Sequence, residues 1–170
     1  MTVSREKTVE FMISTLLQAE TAAQTFYLWL MDAFAHEPDA AQVWWKMGAD
    51  EAAHIRLLER VLNSLPPEQR LSLVDPLMLE KAIAAARFSP HRALERIVTL
   101  EDAYQVAHSL ENSELNAVFE FVLTEYFPKP LKRDFVHNML REHVDRLNGL
   151  RTTEWRRSIL AQKGEGAVAE

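Results

Sequence analysis

Apolar residues return at three- and four-residue steps along most of this chain, the period of a helix buried on one face. Ile13, Leu16, Leu17, Ala23, Tyr27, Met31 and Phe34 form one such stripe, and Val43, Met47, Leu58 and Val61 a second. A third reads Ile97, Tyr104, Leu115, Val118 and Val122. A fourth reads Val136, Met139, Leu140, Val144, Leu147 and Leu150. Prolines punctuate the pattern, and helices tend to stop just before them. The spacing predicts a first helix from about Ser4 to Ala35 and a turn at His36-Glu37-Pro38. A second helix, capped by Asp39, ends near Leu65. The connection from Glu68 to Pro90 holds a short helix over Pro76–Arg87. A third helix runs from about Pro90 to Tyr126. A fourth runs from about Pro130 to Leu150 and on to Ala161. Residues 1–162 then make one domain, and 163–170 a frayed tail.

Short links make antiparallel helix pairs, and the long connection spans the length of the bundle. The expected fold is therefore all-α, an antiparallel four-helix bundle with one long crossover connection and a short extra helix. Composition agrees. Four glycines are too few for the turns of a β-fold, and no glycine-rich phosphate loop exists. The absence of cysteine removes disulfides, thiolate metal sites and a cysteine nucleophile. No apolar run approaches the ~20 residues of a membrane span. The start MTVSREKTVE lacks the apolar core of an export signal, so a cytoplasmic protein is expected. A net charge of −6 argues against a nucleic-acid partner.

Ionisable residues interrupt the apolar stripes. Glu20 lies near the centre of the first and is the sole acid between Glu10 and Asp32. Glu51 and His54 both fall on the second, while Asp50 falls at its edge, toward solvent. Glu101, His108 and Glu111 fall on the third, and Glu114 lies one turn beyond Glu111. Glu101 and Glu111 are ~15 Å apart along a helix, so one centre takes one of them. Distance from the following proline favours Glu111: Glu20 precedes Pro38 by 18 residues and Glu111 precedes Pro128 by 17. On the fourth stripe two registers compete. Glu20 to Glu51 and Glu111 to Glu142 are both 31 residues, which favours Glu142. Burial of the apolar face favours His143 and puts Leu140 where Glu51 stands in the second helix. Buried charge is costly unless it is paired or binds a metal. Glu-x-x-His facing inward in a helical bundle suits a carboxylate-bridged pair of metal ions.

Ala19-Glu20…Tyr27, Glu51-Ala-Ala-His54, Glu111-Asn-Ser-Glu114 and Glu142-His143 together resemble the rubrerythrin and ferritin-like di-iron carboxylate family. The resemblance implies a ferritin-like bundle binding two Fe ions, with Mn or Zn as substitutes. It implies metal ligands among Glu20, Glu51, His54, Glu111, Glu114, Glu142 and His143, and a tyrosine, Tyr27, beside the metals. It implies oxidation of Fe(II) or reduction of peroxide or O₂. This chain lacks the cysteine-bound iron domain of rubrerythrins, so an external electron donor is expected. The alternative is a structural or partner-binding bundle with a degenerate metal site. Trp29, Trp44 and Trp45 fall beside or away from the stripes, and exposed aromatics mark interfaces, so a homodimer is expected.

Overall fold

The computed structural model describes residues 5–129 and 133–151. Among them are eight α-helices and no strand beyond an isolated bridge. The fold is all-α. The helices are α1 (Val9–Ala33), α2 (Pro38–Ser64), α3 (Pro67–Arg70), α4 (Pro76–Ala85), α5 (Pro90–Leu94), α6 (Leu100–Glu111), α7 (Glu114–Tyr126) and α8 (Arg133–Asn148). The expected helix extension to Ala161 and the tail 163–170 lie outside the described residues.

The two longest helices form because their apolar positions keep the helical period over many turns. α1 buries Val9, Met12, Leu16, Ala19, Ala23, Phe26 and Leu30 on one side. α2 buries Ala40, Trp44, Met47, Leu58 and Val61. They run antiparallel: Tyr27 stacks on Trp44 at 6.1 Å, and Glu20 meets His54 further along. Gly48 supports the close approach, since a Cβ there would lie 3.0 Å from the Leu28 side chain. α8 runs antiparallel to α7, with Glu120 of α7 against Arg133 and His137 and Glu111, at the end of α6, against His143. α4 packs on both α1 and α7. A bridge between Thr8 and Leu73 ties the long connection to the start of α1.

Cap chemistry moves several expected boundaries. α1 begins at Val9, not near Ser4, because the Thr8 side chain accepts from Phe11 N. A single 3₁₀ turn, Arg5–Lys7, precedes it. Asp39 does not cap α2. Pro38 occupies the first turn behind Glu37, and Asp39 already lies within the helix. The third helix is not continuous from Pro90 to Tyr126 but is divided into α5, α6 and α7. Thr99 and Asp102 form a capping box that starts α6 afresh. At Asn112-Ser113 the helix stops and restarts. Asn112 Nδ2 turns back to His108 O at 2.7 Å, and Ser113 Oγ accepts from Leu115 N. Such side chains compete with the helical ladder for its own backbone groups.

Trp44 is a further correction. It is fully buried, whereas Trp45 is 53% exposed and Trp29 39%. The second stripe runs through Trp44 rather than Val43, which is half-buried. Trp44→Ala is therefore expected to cost about 3–5 kcal/mol, and Trp45→Ala less than about 0.5 kcal/mol. Denaturant melts of the two variants check this, and equal losses would contradict the burial difference.

Candidate metal centre

Five ionisable side chains meet in the middle of the core: Glu20 from α1, Glu51 and His54 from α2, Glu111 from the end of α6 and His143 from α8. None is more than 3% exposed. Each sits where its helix turns an apolar stripe inward, so burying leucines and valines carries these groups inward too. Glu51 is central. Its Oε2 lies 2.9 Å from His54 Nδ1 and its Oε1 3.1 Å from His143 Nε2. Glu20 Oε2 is 3.4 Å from His54 Nδ1, and Glu111 Oε1 is 3.1 Å from His143 Nε2. The Tyr27 hydroxyl donates to Glu111 Oε1. Phe119 closes one side, its ring 4.4 Å from that of His54.

Among the described residues two donor groups emerge, Glu20–Glu51–His54 and Glu51–Glu111–His143. Within each, one ligand atom per residue lies within 4.8 Å of the others. Either group could hold a metal ion, and Glu51 belongs to both. Two features set these groups apart from ordinary ion pairs. His143 Nε2 has two carboxylate oxygens 3.1 Å away, yet makes no hydrogen bond of proper direction. Both Glu20 oxygens are buried and equally without one. Buried polar atoms are rarely left in that condition. A donor set of three carboxylates and two imidazoles fits a hard to borderline divalent ion.

Electrostatics shows how the side chains share charge among themselves. Burial pushes the Glu20 carboxyl well above its usual range, and the neighbouring Glu51 charge adds to this. Burial acts the same way on Glu51, but the imidazoles of His143 and His54 on either side overcome it and hold Glu51 below the usual range. Burial opposes charge on both imidazoles. Contacts with Glu20 and Glu51 nevertheless raise His54 to about 10. The Glu111 charge and a bond to Asp50 raise His143 well above its ordinary value. Burial and the Glu111 charge likewise push the Tyr27 hydroxyl up. Protons thus offset part of the carboxylate charge.

The remaining candidates lie elsewhere. Glu114 is half-exposed and pairs with Lys81 at 2.7 Å. Glu101 accepts from Gln105 Nε2 at 2.7 Å, away from the cluster. Glu142 is exposed, because α8 buries Val136, Leu140, His143 and Leu147 and leaves Glu142 ~100° round the helix. Leu140, 7% exposed, stands three residues before His143 as Glu51 stands before His54. Asp50, expected to face solvent, bonds His143 Nδ1 at 3.1 Å and Arg146 at 2.9 Å. A carboxylate behind an imidazole fixes its tautomer and orientation, and losing it costs about 10–100-fold in metal affinity. Asp50→Ala is expected to weaken the His143 half by that factor and to spare the His54 half. Stepwise metal titration reads the two separately.

Comparison with protein-family models, curated proteins and solved structures finds no match to this chain.

Proposed function

We propose that this chain is a ferritin-like, rubrerythrin-like di-iron carboxylate protein that oxidises Fe(II) or reduces peroxide or O₂. The observation that carries this reading is the sharing of buried Glu51 between two complete donor groups. In this reading α1, α2, the α6–α7 arm and α8 are the four members of the bundle, and α3–α5 occupy the crossover. Glu20, His54 and Glu51 would hold one ion. Glu111, His143 and Glu51 would hold the other. Carboxylates with one imidazole each suit Fe(II) or Mn(II), with Zn(II) as a competitor.

A bound iron pair supplies two-electron chemistry toward O₂ or peroxide. The chain's own share is to position and exclude water. Phe119 and the apolar stripes close the core around the donors, and Asp50 sets the His143 ring. Tyr27 restrains Glu111 through its hydroxyl and stays protonated near neutrality. With no cysteine in the chain, sustained peroxide reduction draws on an external electron donor. Exposed Trp29 and Trp45 favour a homodimer.

Leu140 favours a second reading. It occupies the place of a second bridging carboxylate, and the imidazoles already pair with Glu51 and Asp50. Such a bundle would be structural, with a degenerate site. Anaerobic Fe(II) titration followed by metal analysis separates the two. About two equivalents per chain, oxidised on exposure to O₂ or peroxide, is the expected result, whereas no retained iron supports the structural bundle.

A further inference from the structure

The proposed ligands are closed off from bulk water, yet a metal ion must reach them. A recess of about 60 Å³ lies between α2 and α8. Its floor is His54 and His143, and Asp50, Ala53, Glu142 and Arg146 stand around it. Four larger cavities on the molecule touch none of the five donor residues. Resting on the two-metal reading, we propose that this recess is the passage for divalent cations, with Glu142 attracting them and the Arg146–Asp50 ion pair restraining entry.

Size supports the assignment. A water's share of liquid volume is ~30 Å³, so the recess suits a partly dehydrated ion or a molecule of peroxide size. An organic substrate has no room. Position supports it as well. Both imidazoles border the recess, and the buried His143 ring meets Asp50 of its wall through Nδ1 at 3.1 Å. Charge gives each wall residue a separate part. Glu142 is exposed at the recess and lies outside both donor groups. A carboxylate at the mouth of a low-dielectric cleft raises the local cation concentration. Arg146 is 39% exposed and bonds Asp50 Oδ1 at 2.9 Å. It neutralises Asp50 and places a positive charge in the path of an incoming cation. Ala53 is half-buried on α2, one residue before His54, and its small side chain leaves the recess open.

The test follows Co(II) uptake by the full chain through its visible absorbance in stopped flow, and its release to EDTA. EDTA is too large to enter the recess, so release reports exit of the ion. Ala53→Leu fills the recess. It is expected to slow uptake and release by the same factor, leaving Kd and the stoichiometry unchanged. Glu142→Gln, on the exposed surface, is expected to slow uptake severalfold at low ionic strength and to lose that effect in high salt. Arg146→Met is expected to speed uptake. Normal stoichiometry at rates indifferent to all three substitutions would overturn the passage while leaving the two-metal reading intact. A change in Kd carried by one rate alone in Ala53→Leu would also overturn it, since a passage cannot alter the end states. Failure of the unaltered chain to take up Co(II) would remove both.

Discussion

Glu51→Ala is expected to empty both halves of the centre, taking metal content from about two ions per chain to nearly none. The reason is that Glu51 alone belongs to both donor groups. Glu20→Gln or His143→Ala removes a ligand from one half only, so about one ion should remain. Metal analysis after anaerobic loading distinguishes these outcomes, and equal losses in all three variants would refute the shared role of Glu51. The metal-free variant is informative too. Removing one of several buried carboxylates looks, from sequence, like relief of repulsion. The geometry points the other way. Glu51 stands between two imidazoles at 2.9 and 3.1 Å, and its removal leaves both without their shared partner. Breaking such a buried pair costs about 3–5 kcal/mol, so the metal-free variant is expected to melt well below the unaltered protein.

Metal-free protein is expected to lose stability as pH rises above neutrality, and metal-loaded protein is expected not to. His54 titrates near 10 in the folded chain, against ~6.5 for an unfolded histidine. Between those values the folded state binds more protons. The stability this contributes is whole below ~6.5 and is lost as pH climbs through the folded value. His143 is shifted in the same direction. Glu20 reinforces the trend, since its raised carboxyl disfavours the charged form that higher pH demands. Glu51 acts at the acid end: its depressed value gives stability that is lost as pH falls below the usual carboxylate range. The metal-free optimum should therefore lie on the acid side of neutrality. Binding metal requires neutral imidazoles and an ionised Glu20, so loading near pH 7 should release protons and tighten as pH rises. Melts with EDTA and with Mn(II), together with pH-indicator titrations, measure both effects. A flat metal-free profile between pH 6 and 9 would contradict the charge state assigned to the cluster.

Much of this centre is legible in the residues themselves. Glu20, Glu51, His54 and His143 each interrupt an apolar stripe, and a helix that buries the stripe must bury the interruption. On α8 that argument, rather than the 31-residue repeat, matches the placement of His143 inside and Glu142 outside. The repeat misleads because α6 and α7 are separate helices. Counting through Asn112 and Ser113 assumes a continuous ladder that their side chains interrupt. Trp44 is misjudged for another reason. The second stripe drifts along 27 residues of α2, so a face defined by Val43 and Met47 misses the indole stacked on Tyr27. Asp50 escapes because its partner, His143, is 93 residues away in sequence. A single helix pattern carries no record of that contact. Glu114 sits at the right spacing from Glu111 only if the helix runs through both, and it does not.

The break after Glu111 also bears on how this chain tolerates insertions. One extra residue in the middle of α2 would rotate everything beyond it by ~100°. Met47 and Leu58 could then no longer face the same core, and Glu51 would part company with one neighbour or the other. The same extra residue at Asn112-Ser113 falls where one helix has finished and another is newly capped. α6 could keep Glu111 beside Tyr27 while α7 kept Val118 and Phe119 in the core. Length variation in this protein should therefore be accepted at that junction, within a few residues of the buried cluster, more readily than in the long helices that carry Glu20, Glu51 and His54.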